Sequence, residues 1–108
     1  MTYNKKERES YNIHRDNVCE NLGITKNQYN WFRRKGEILH QMYEFNCNGD
    51  FTEERYDEVT KPMYEDIDRK ASSLGLFIYY QTDPRGATIY ADRKPIPDNA
   101  YTNACCIY

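Results

Sequence analysis

Apolar positions along the chain recur first at helical spacing and then in alternation. Ile13, Val18, Cys19 and Leu22 make a weak stripe over about 10–22, the expected first helix. "GITKNQY" reads as a stop and a restart: Thr25 is set to cap the next helix, Gln28 to reach back in a capping box, and Ile24 to staple onto Tyr29. The second helix, to about residue 46, gathers Phe32, Gly36, Leu39, Tyr43, Ile38, Met42 and Phe45 on a broad apolar face. Arg33, Arg34, Glu37, Gln41 and Glu44 are left outside. Gly36 costs a helix about 1 kcal/mol relative to alanine, so its place in the stripe predicts the close approach of another element. After the turn "CNGD", Asp50 and Thr52 offer caps for an acidic third helix, which Pro62 either kinks or restarts. Met63, Ile67, Ala71 and Leu74 form its buried side, and Gly75 ends it.

Beyond Gly75 the period changes to two. "LFIYYQ" alternates Leu76, Ile78 and Tyr80 against Phe77 and Tyr79, a strand by its branched and aromatic content, and "ATIYA" is its partner. Asp83, Pro84 and Gly86 supply turn chemistry between them, with Arg85 at a turn position that accepts most residues. "RKPIPDNAYTNACCIY" begins extended and ends as a short edge strand or a docking tail. The expected fold is therefore α+β: three or four helices packed against a small antiparallel sheet centred on the 76–91 hairpin.

Composition agrees with one folded domain. The chain has 108 residues, enough for a single modest core, and its 16 aromatics speak against disorder. Residues 1–9 read as a flexible lead-in and 92–108 as an extended C-terminal segment. No apolar run is long enough for a membrane span and "MTYNKKERES" lacks a signal-peptide core, so a cytosolic protein without membrane attachment is expected. Four cysteines without a regular framework read as reduced thiols. The net charge of -2 is uneven: residues 1–40 hold eight cations against five acids, the remainder seven against twelve. Two surfaces of opposite sign, or ordinary solvated helix faces, both fit.

Candidate chemistry centres on the hairpin. Arg85, with Asp83, Gln81 and the tyrosines Tyr79 and Tyr90, can grip a phosphate or carboxylate while a ring stacks on a base. Pairing of Arg85 with Asp83 or a helix carboxylate would instead only brace the hairpin. Exposed arginine and tyrosine also anchor protein interfaces, so a protein partner fits the same group, with Arg33 and Arg34 as a second basic contact. In a different class, the 15–35 segment has helix-turn-helix spacing, with Lys26, Asn27, Asn30 and Arg34 as outward DNA contacts. A third reading is a nucleotide sponge built on Arg85 and the tyrosines. His14 and His40 have no motif partner, and no phosphate loop, nucleophile elbow, zinc helix or calcium loop is present. No enzyme activity, cofactor or metal is expected; homo-oligomer formation stays open.

"WFRRKGEILHQMYEFNCNGD" followed by "LGLFIYYQTDPRGATIY" resembles a group of small proteins of tailed phages and prophages that share a "CNGD" helix end and a "YxQTDPRGxxLY" hairpin. The likeness spans about residues 22–91. Residues 29–32 are more aromatic than that pattern and the tail is longer. The resemblance implies phage origin, a host-cytoplasm address and an accessory function without assigned chemistry. The reading is a non-enzymatic accessory protein that binds and inhibits a host component, with host defence as one target.

Overall fold

A computed structural model describes residues 4–49, 51–83 and 86–108, with backbone only at 82, 83, 86 and 87. Helices α1 (Lys5–Leu22), α2 (Lys26–Cys47) and α3 (Glu53–Ser73) precede strands β1 (Phe77–Asp83) and β2 (Gly86–Asp92). A 3-10 segment (Asp98–Asn103) and the two-residue strand β3 (Cys105–Cys106) follow. This is the α+β arrangement expected, with the hairpin at the centre of a three-stranded antiparallel sheet of order β1-β2-β3. Among the described residues no helix is long and apolar enough to cross a membrane.

Each helix start is written locally. Thr25 accepts from the Gln28 amide while Gln28 returns the bond, the expected capping box, and Ile24 and Tyr29 are both buried beside it. Helix α1 begins at Lys5, ahead of the expected position, because Asn4 and Glu7 close a second capping box that an apolar stripe does not reveal. Thr52 caps α3; Asp50, the other cap considered, lies outside the described residues. Pro62 does not restart α3, which is continuous through it. The proline is exposed, where water can satisfy the carbonyl it leaves without an amide.

The core is one cluster. Val18, Leu22, Ile24, Tyr29, Phe32, Leu39, Ile67, Ala71, Leu76, Ile89, Ala91 and Ile107 are buried in it. The inner sheet face brings Ile78, Tyr80, Ile89 and Ala91 onto α2 and α3. Met63 and Leu74 contribute at its margin as expected, whereas Phe45 is 46% exposed and packs edge-on against Phe51. Leu39 is the last buried residue of α2, so the buried part of its apolar face ends earlier than its sequence stripe.

The C-terminal segment closes the fold. Ile107 donates its amide to the Ile89 carbonyl at 2.8 Å, prolonging the β2–β3 ladder, and its side chain is 1% exposed. Burial of a side chain of this kind stabilises a fold by about 1.5–3 kcal/mol. His14 Nε2 donates to the Cys106 carbonyl at 2.8 Å, and Tyr108 lies over Gly36. Of the two roles considered for the tail, the edge strand is the one observed.

Arg93 fastens the opposite end. Its guanidinium donates to the carbonyls of Leu22 and Leu74, each at 2.6 Å, and of Gly23 at 3.4 Å. These are the last carbonyls of α1 and α3, where the helix dipole favours a cation. Gly23 and Gly75, at φ 67° and 70°, stop the two helices; a Cβ on either would lie 3.1–3.2 Å from the guanidinium.

Candidate functional site: the outer face of the sheet

Period-two alternation sorts the hairpin into two faces. Register pairs Phe77 with Asp92, Tyr79 with Tyr90 and Gln81 with Thr88, so these six share the face turned from the core. Tyr79, Tyr90 and Gln81, expected to act together, are thus brought together. The Asp83 side chain, together with Pro84 and Arg85 and the turn they were expected to form, lies outside the described residues.

The tyrosines form a cluster with a member that sequence reasoning missed. Tyr101, carried back by the 3-10 segment, stacks flat on Tyr79 with centroids 4.7 Å apart and planes at 7°, and meets Tyr90 edge-on at 5.1 Å. Tyr79 and Tyr90 are 6.5 Å apart, at 65°. All three rings are part-exposed, and Phe77 beside them is 47% exposed. Its signal was an aromatic shortly after two prolines, in a segment whose return path local patterning does not specify. Burial and the neighbouring Cys106 and Tyr101 push the Tyr90 phenol above its usual range, so the hydroxyl stays a neutral donor.

The sheet edge beside this face is open among the described residues: β1 pairs with β2 alone. Its inner side is fixed by Tyr80, whose hydroxyl donates to Asp68 Oδ1 at 2.8 Å and whose ring packs edge-on against Tyr64 at 4.8 Å. Desolvation, then the hydrogen bond to Asp68, drives the Tyr80 phenol far up, so it remains protonated. The strand carrying Tyr79 and Gln81 is therefore anchored on a helix while its outer surface remains accessible.

The second basic contact divides. Arg34 is exposed as expected, whereas Arg33 is only half-exposed. Its guanidinium lies 4.9 Å from the Tyr11 ring and 5.4 Å from the Tyr108 ring, and donates to the Ile107 carbonyl at 3.4 Å. The cause is the C-terminal segment, which crosses α2 and offers both a π face and a carbonyl. Lys26, Asn27, Asn30 and Arg34, the DNA contacts considered, are all exposed on the first turns of α2, after a three-residue turn. Acids interrupt that surface: Asp16 lies 3.9 Å from Lys26, and Glu37 lines a shallow depression of about 200 Å³ with Arg34 and Asn30.

The cysteines are thiols, and burial pushes Cys19, Cys105 and Cys106 up, away from the reactive thiolate. Among the described residues no three His, Cys, Asp or Glu side chains converge as metal ligands. Comparison with protein-family models, with curated proteins and with solved structures gives no match. Fold and site together define a small α+β protein with an aromatic, one-sided sheet.

Proposed function

We propose that this chain is a non-enzymatic phage accessory protein that binds a host protein through the outer face and open edge of its sheet, and thereby inhibits it. The observation that carries the reading is the Tyr79–Tyr90–Tyr101 cluster beside exposed Phe77, on a strand whose outer edge is unpaired among the described residues. Tyrosines held by mutual packing lose little conformational freedom on binding and contribute large contact area, which is why they dominate protein interfaces. An open edge adds main-chain hydrogen bonds to an extended segment of the partner, with Gln81 and the rings reading its side chains. Modulation follows from occupancy: a partner segment paired to β1 is withdrawn from its own contacts. The phage-like helix and hairpin strings support a target in the host cytoplasm, a defence component among them.

A photo-crosslinking residue placed at Phe77 in the host cell tests this, with a control at exposed Glu54 on α3. One host protein should crosslink from position 77, not from 54, and be lost when Tyr79 and Tyr90 are both changed to alanine. The same proteins captured from both positions, or capture that survives the double change, would count against the reading.

A further inference from the structure

Helices α2 and α3 leave an open groove of about 410 Å³ lined by Trp31, Asp66, Arg69, Lys70 and Ser73. Trp31 is half-buried, its inner edge held at 89° to Phe32 of the core with centroids 5.1 Å apart. Two ammonium groups approach its ring: Lys35 Nζ at 5.4 Å from the centroid, from α2, and Lys70 Nζ at 5.8 Å, from α3. Arg69, with a side chain 72% exposed, stands beside them.

The charges at this groove do not balance. Two cations, Arg69 and Lys70, line it against a single carboxylate, Asp66, and a third, Lys35, reaches the Trp31 ring from the margin; Arg69 engages Asp66 at 2.8 Å and Lys35 at only 4.0 Å. No carboxylate pairs with Lys70 among the ion pairs of the described residues. A local excess of positive charge around an aromatic platform, in a protein of net charge -2, is the reverse of the sign of the whole. Ammonium groups over an indole are displaced outward at little cost when a flat ring takes their place, and they then become donors to whatever anion that ring carries.

We infer that this groove is a binding site for a nucleoside phosphate, with the base stacked on Trp31 and the phosphates held by Lys35, Lys70 and Arg69. Its volume falls within the range of small-ligand sites. Stacking on an indole face is tolerant of base identity, whereas the cations require the phosphate. This site is separate from the sheet face, and neither reading depends on the other.

Trp31 is the sole tryptophan, so its fluorescence, excited where tyrosines do not absorb, reports on the groove alone. Titration with ADP should give saturable quenching, with adenosine and inorganic pyrophosphate each at least about tenfold weaker. Lys35→Ala with Lys70→Ala should weaken ADP by at least about tenfold with the helical circular dichroism unchanged, and Trp31→Phe should weaken ADP binding in calorimetry. An absence of saturable quenching and of binding heat up to about millimolar ADP would overturn the inference. So would ADP affinity that the lysine changes leave intact, or a single-stranded oligonucleotide that binds about a hundredfold tighter than ADP, which would make the groove a nucleic-acid site.

Discussion

A Cβ built on Gly36 would lie 2.7 Å from Cγ of Tyr108, so the C-terminal ring rests where any other residue of α2 would place a side chain. Helix propensity alone favours alanine at this position by about 1 kcal/mol, yet overpacking of this kind costs about 1–3 kcal/mol. Gly36→Ala should therefore destabilise the protein. The same change made together with Tyr108→Ala should be stabilising relative to Tyr108→Ala alone. Denaturant unfolding of the four proteins in this cycle checks both signs.

Arg93 spans the ends of α1 and α3. Arg93→Ala removes three charge-assisted contacts to helix-terminal carbonyls and should cost about 2 kcal/mol. Lysine has one point of charge where the guanidinium has a fork, so Arg93→Lys should recover less than half of the loss. Thermal unfolding midpoints measure the order wild type, lysine, alanine.

Neighbouring arginines on α2 should behave differently. Arg33→Ala removes a guanidinium packed near two tyrosine rings and bonded to the Ile107 carbonyl, and should cost about 1–2 kcal/mol. Arg34→Ala, on the exposed side, should change stability by less than about 0.5 kcal/mol. Hydrogen exchange at residues 105–108 should accelerate in the first variant and not in the second.

Stability should fall on the alkaline side through the buried and half-buried phenols. Tyr29, Tyr64 and Tyr80 have folded-state values raised above the ordinary value of 10.0, chiefly by burial. Their contribution is fully present below pH 10 and is lost as pH rises beyond it, because the unfolded chain gives up protons that the folded one retains. Tyr80→Phe should flatten this decline. Below pH 10 it should cost about 1 kcal/mol, by leaving Asp68 without its hydroxyl donor. Urea unfolding at a series of pH values from neutral to strongly alkaline gives both quantities.

Local chemistry was legible in the sequence and long-range closure was not. Thr25 and Gln28 cap one another across three residues, and the alternation from Leu76 to Tyr80 assigns the faces of a strand, because both depend on neighbours in the chain. Gly36 announced a close approach without naming the visitor, since Tyr108 comes from the far end of the chain. The same segment turned Arg33 inward by offering it a carbonyl that helical periodicity cannot foresee. Tyr101 and Trp31 were missed for a related reason: one is carried onto the sheet by an irregular segment, the other gains its lysine neighbours only when α3 lies alongside α2. Of the expected contact group, Tyr79, Tyr90 and Gln81 shared a face because parity and register are sequence-readable.

The measurement that bears most directly on the sheet-face account is the affinity of the purified protein for the host protein captured at Phe77, by calorimetry. Tyr79→Ala and Tyr90→Ala should each weaken binding by about thirtyfold or more, and Arg34→Ala by less than about threefold. Equal affinity for wild type and both tyrosine variants would contradict the account.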